Sequence, residues 1–291
     1  MADAGAAMTP TRAFGPWAWL LFGFAAMYLP VYWAASTDLW QTDELGHGPI
    51  ILGLVIWLFW RARREIVSAS TRPAAGLGWS LFVTGLLLYA FGRVFSVSSV
   101  TFISQIFVVA SGLALIGGYG ALKAVWFPVL YLWFMVPMPA SLVEALTGPL
   151  KNWISVIVVD SLYAIGFPVS RAGVTISIGP YQLLVADACT GLNSMFSLAA
   201  TGVLFMFIAG RASRLHNTIM LTSILPIAFA ANIVRVTALV LITYFFGDDA
   251  AQGFMHSAAG LMLFMVALAL FVGLDKCVSA LTRSPPTTEE K

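Results

Sequence analysis

The 291-residue chain is 60% hydrophobic and 10% charged, with a formal net charge of +2 and a mean hydropathy of +0.90. Soluble domains carry roughly 25% charged residues, so the composition describes a polytopic membrane protein, with room for roughly eight spans of about 20 residues. The charge is too small, and the basic residues too scattered, for a nucleic-acid surface. Two cysteines, Cys189 and Cys277, offer no disulfide framework.

In chain order, residues 1–16 read as a tail, residues 17–283 as one transmembrane domain and residues 284–291 as a second tail. Arg12 precedes an apolar run from Trp17 to Trp33, and Ala34-Ala35-Ser36 imitates a cleavage site. The run is longer than a signal-peptide core and further spans follow, so it reads as a retained first helix. Apolar runs then predict spans at 17–35, 48–60, 77–95, 100–118, 124–138, 190–210, 217–245 and 255–274. The fold class expected is all-α: a polytopic transmembrane helical bundle of about eight spans.

Basic residues set the orientation. With the N-terminus inside, the inner segments hold Arg12, Arg61, Arg63, Arg64, Arg72, Lys123, Arg211, Arg214, Lys276, Arg283 and Lys291. The outer segments hold Arg93, Lys151 and Arg171, and Arg235 falls within a span. Both termini are therefore expected on the cytoplasmic side of the membrane.

The longest outer segment, 139–188, has its own pattern. From Ser141 to about Gly166, Leu142, Leu146, Leu150, Trp153 and Ile157 recur at helical spacing, while Glu144, Lys151 and Ser155 share another face. That pattern predicts an amphipathic helix on the outer interface. Val174–Ile178 and Tyr181–Val185 flank Gly179-Pro180, the signature of a short β-hairpin just before Cys189.

Three positions stand out for chemistry. Cys189 opens the sixth predicted span, where the helix dipole and unpaired amide N–H groups favour a thiolate; a buried packing cysteine is the alternative. Arg235 lies within an apolar helix, with Asn232 three residues earlier on the same face. An intramembrane arginine costs at least about 2.5–3.5 kcal/mol on insertion scales and marks a protein interior or wet cavity; a structural clamp between helices is the alternative for Arg235 and the leading reading for Asn232. His256 opens the last predicted span after the acidic Asp248-Asp249. On three different helices near the outer face, the three residues supply a nucleophile, a fixed cation for a developing oxyanion and a general acid or base.

The run Ala188-Cys189-Thr190-Gly191-Leu192, then Asn232-x-x-Arg235, then His256 resembles the exosortase and archaeosortase family. Gly46-His47-Gly48-Pro49, Phe127-Pro128 and Met135-Val136-Pro137-Met138-Pro139 add to the resemblance, which extends from about Leu45 to Gly260. The form ending soon after the last span is most similar to exosortase B. The resemblance implies a membrane-embedded cysteine peptidase or transpeptidase-like sorting enzyme. Its partners are secreted proteins with a C-terminal Pro-Glu-Pro-type motif, a transmembrane helix and a basic end, together with an acceptor of unknown identity. By position, Cys189 is the nucleophile, Arg235 the oxyanion or substrate stabiliser and His256 the acid and base, with Asn232 and His47 as supporting residues. No cofactor is implied. Two rival readings remain: a polysaccharide or lipid-linked sugar exporter using Arg235 to bind an anion, and a non-catalytic membrane scaffold.

Overall fold

The computed structural model describes residues 10–42, 45–184, 192–210, 213–247 and 254–282. The chain divides into two compact units, Met1–Pro139 and Ala140–Lys291. In the first unit, helix α1 (Pro10–Thr37) is followed by α2 (Gly48–Ser68), α3 (Ala75–Val94), α4 (Ser98–Ala124) and the short α5 (Trp126–Tyr131), which continues as a 3-10 turn to Met135. The second unit holds α6 (Ala140–Ala164), strands β1 (Val169–Ala172), β2 (Thr175–Ile178) and β3 (Tyr181–Leu184), then α7 (Leu192–Ala209), α8 (Arg214–Phe246) and α9 (Phe254–Thr282).

Five helical stretches among the described residues are long and apolar enough to cross a membrane: Trp17–Gln41, Ala75–Val94, Ser98–Ala124, Arg214–Phe246 and Met262–Leu281. Trp126–Met135 and Phe196–Ala209 are shorter apolar helices that correspond to the fifth and sixth predicted spans. The second predicted span forms the first part of α2, whose later turns carry Arg61, Arg63, Arg64 and Glu65. There the Arg61 and Arg63 guanidinium carbons lie 5.5 and 4.3 Å from the ring centroids of Trp57 and Trp60. Aromatic rings with cations beside them suit a membrane–water boundary. The chain is thus a multi-pass helical membrane protein.

Packing in the first unit rests on a glycine stripe. Gly78, Gly85 and Gly92 are buried on α3 at seven-residue spacing. Across from them on α4 stand Leu115, Val108 and Thr101, also seven residues apart, in antiparallel order. A Cβ on Gly85 would lie 2.9 Å from Val108 Cγ2 and 3.1 Å from the Val108 backbone nitrogen. Small residues let two backbones approach, which is how helices gain contact where lipid supplies no hydrophobic drive. Polar pairs add direction: Tyr28 and Ser104 hydroxyls are 2.7 Å apart in the core, and the Tyr89 hydroxyl donates to the Met27 carbonyl at 3.0 Å.

In the second unit the expected hairpin is one strand larger. The structure adds β1, so the order is β1-β2-β3, with Ala172 opposite Thr175 and Ile178 opposite Tyr181. Each pairing leaves a two-residue loop, Gly173-Val174 and Gly179-Pro180. The glycines have φ of 61° and 55°, the left-handed geometry that the first loop position of such tight turns demands. β1 escaped the sequence pattern because only Val169 of its four residues is buried.

Helix α6 matches the predicted interfacial helix, but its inward face is a different one. Ile154, Val158 and Leu162 pack with Val169, Ile176 and Ile178 of the sheet and with Val236 and Val240 of α8. Leu142 and Trp153, from the predicted apolar stripe, stay exposed. Ser155 is buried, its hydroxyl donating to the carbonyls of Asn152 at 2.8 Å and Gly173 at 3.2 Å. Helix α6 therefore presents apolar residues on both sides, one covered by the sheet and α8 and one exposed.

The glycine stripe yields a stability prediction. Gly85→Leu should lower the stability of the detergent-solubilised protein by about 1–3 kcal/mol, the usual cost of overpacking, whereas Gly53→Leu should be nearly neutral because nothing lies within 4 Å of its Cβ position. Equal thermal midpoints for both variants would contradict the close α3–α4 packing.

Candidate active site

Arg235 and Asn232 sit in the middle of α8, a helix of 33 residues beginning at the Ser213 cap. Arg235 is 4% exposed and Asn232 2%, so the guanidinium is held inside protein rather than against lipid. Both side chains are engaged by neighbours. The helix meets two separate apolar clusters along its length. Before Arg235, Ile224, Ala228 and Ala231 pack with Leu198 of α7 and with Leu263, Ala267 and Phe271 of α9. After it, Val236 and Val240 join the sheet and α6. Arg235 therefore lies where the helical part of this unit gives way to the sheet-bearing part.

The other expected site residues are less fully described. Cys189 falls in segment 185–191, outside the described residues; in the chain this segment joins β3, ending at Leu184, to α7, starting at Leu192. His256 lies on the backbone of the first turn of α9. His47 belongs to the first unit and the others to the second.

His47 caps α2 from the αR region without a side-chain cap bond, next to Gly48, whose Cβ position is filled by the Trp40 indole. Burial pushes the His47 imidazole below its usual value, and a hydrogen bond with the Phe134 backbone opposes this in part. His47 thus has a structural task, joining the start of α2 to the turn after α5.

A second polar pair lies in the core of the Cys189-bearing unit. His216, one turn into α8, and Asp275, near the end of α9, are 2% and 7% exposed, with Nε2···Oδ1 at 2.9 Å. Neither residue stands out in the sequence; the available signal was an aspartate, Asp275, towards the end of an apolar helix. In the first unit, Arg93 borders a cavity of about 160 Å³ with Val31, Leu39, Ser98 and Phe102. None of the expected site residues lines it.

The lowered His47 value fixes the sign of a pH effect. Folding favours neutral His47, so its contribution is complete above the unfolded value of about 6.5 and is lost as pH falls through that value towards the folded one. The thermal midpoint of purified protein should therefore drop between about pH 7.5 and about pH 5.5, and should drop less in His47→Gln. An equal drop in both proteins would remove His47 as the cause.

No curated protein and no solved structure matches the chain. The family model for transmembrane exosortase (Exosortase_EpsH) does, over residues 39–273. This stretch takes in α2 through most of α9 and contains His47, Cys189, Asn232, Arg235 and His256. With most of the chain matched, and with a buried arginine inside a bundle of apolar helices, the protein belongs to the transmembrane exosortase family of membrane-embedded sorting enzymes.

Proposed function

We propose that this exosortase cleaves the C-terminal sorting signal of secreted proteins by covalent catalysis at Cys189 and passes the shortened protein to water or to a cell-surface acceptor. The observation that carries the reading is the burial of Arg235 inside an apolar helix, in the same unit as the segment holding Cys189. A cation so placed is costly, and stabilising a developing oxyanion is a use that matches the cost. The site faces the periplasm of an inner membrane with both chain termini in the cytoplasm, in line with the distribution of basic residues.

The substrate tail lies laterally against the bundle, its Pro-Glu-Pro-type motif at the outer interface. The Cys189 thiolate attacks the scissile carbonyl carbon, forming a C–S bond while the carbonyl π pair moves to oxygen. Arg235 donates hydrogen bonds to that oxygen. When the pair returns, the C–N bond breaks, and protonated His256 gives its proton to the leaving amine. Neutral His256 then takes a proton from the acceptor nucleophile, which attacks the thioester and frees the thiolate. The residues balance each proton, so the cycle requires no nucleotide and no redox partner. Asn232, one helical turn before Arg235, helps hold the guanidinium, and His47 supports the fold of the other unit.

Substitutions separate this reading from a helix clamp. Cys189→Ala should abolish processing of a reporter ending in a Pro-Glu-Pro motif, an apolar helix and a basic cluster, with protein abundance unchanged; Cys277→Ala should be silent. Arg235→Lys should fail as Arg235→Ala does, because lysine lacks the planar fork that serves substrate and helix neighbours together. Normal processing by Cys189→Ala would rule out covalent catalysis, and activity losses that merely follow losses of folded protein would make Arg235 a structural clamp. Sidedness is checked separately by placing a single cysteine at Gly179 in a cysteine-free background. Labelling from the periplasmic side is expected; labelling only from the cytoplasm would invert the topology.

A further inference from the structure

The core between α8 and α9 is apolar along most of its length. Met220, Ile224, Ala228 and Ala231 on one helix meet Phe271, Ala267 and Leu263 on the other. Apolar contacts of this kind carry little direction, and cores tolerate repacking at modest cost. Such contacts alone specify the axial register of two helices weakly. The His216–Asp275 contact differs, being a directional bond of 2.9 Å between two buried polar groups. Its helix-start end is fixed as well, since the Ser213 hydroxyl accepts from the His216 backbone N–H at 3.4 Å and sets where α8 begins. A buried pair of this type is weak evidence for stability, and register is its best-attested use.

The spacing shows what the register serves. Nineteen residues separate His216 from Arg235 on α8, and nineteen separate His256 from Asp275 on α9. Because the start of α8 meets the end of α9, the two helices run antiparallel. At 1.5 Å per residue, positions 235 and 256 both lie about 28 Å along their helices from the pair. Counted along the two helices, with Pro226 inside α8, they come to the same level. A slip of one helical turn would separate these levels by about 5.4 Å, too far for two groups that act on one carbonyl.

The geometry points to His216 and Asp275 as positioning residues: a register lock, remote from the chemistry, that holds Arg235 level with His256. This inference rests on the catalytic assignment above. It gives a use to a buried polar pair that neither membrane insertion nor the reaction itself requires.

Two arms test it. The first reads register without catalysis, in a Cys189→Ala, Cys277→Ala background. Oxidative cross-linking of Ala228→Cys with Leu263→Cys, which share a level, should outpace cross-linking of Ala228→Cys with Ala267→Cys, a turn away, since a disulfide tolerates little displacement. Adding Asp275→Ala should erase that preference. The second arm follows processing of the reporter described above per folded molecule, with Cys189 intact. His216→Ala and Asp275→Ala should each slow it by at least about tenfold, because a 1 Å misplacement can cost about a hundredfold. The exchanged pair, His216→Asp with Asp275→His, should recover most of the rate and the cross-linking preference together. An unchanged preference in Asp275→Ala, or a recovered register without recovered processing, would overturn the positioning role. If the wild-type enzyme fails to process the reporter, the catalytic reading falls by itself, and the cross-linking arm still decides whether the pair sets the register.

Discussion

A guanidinium held at 4% exposure in the middle of a membrane-spanning helix is the constraint around which the Cys189-bearing unit is built. Such a group is tolerated only if protein replaces the water it has lost, and that demand explains the company α8 keeps. On one stretch the helix is wrapped by α7 and α9, and on the next by α6 and a three-stranded sheet. The sheet is thus more than a decorated loop: its buried Ile176 and Ile178 close the side of α8 that the helices leave open. The same closure brings the chain from β3 into the Cys189 segment and on into α7.

The other unit solves a different problem with different means. With no buried charge of that kind among its described residues, it packs α3 against α4 through glycines at seven-residue spacing and uses tyrosine, serine and glutamine side chains for direction. Backbone proximity there does for helix association what buried polar pairs do in the Cys189-bearing unit. Between α3 and α4 the antiparallel register follows the glycines repeating along the contact line.

Hydropathy made the spans legible because a bilayer leaves the backbone few choices, and the five long helices fall where the apolar runs are. Cys189, Arg235 and His256 were legible as candidates because each is out of place by charge or reactivity. Arg235 is buried in α8, as an arginine within an apolar helix should be; Cys189 lies outside the described residues. Strand β1 was hidden because Ser170, Arg171 and Ala172 are all exposed, so no alternation of burial marks it in the sequence. The glycines of α3 were hidden because each is unremarkable until its partner on α4 is known. The His216–Asp275 pair was hidden for the same reason: the two residues are 59 positions apart, and only the antiparallel fold makes them neighbours.

The central claim is that the chain works through an acyl group carried on Cys189. Mass spectrometry of the enzyme, acid-quenched during processing of the reporter, tests it most directly. The account predicts a peptide containing Cys189 that carries the acyl fragment of the reporter as a thioester, from which hydroxylamine releases the acyl group. Accumulating product with no adduct on Cys189, from an enzyme whose turnover survives thiol alkylation, would contradict it.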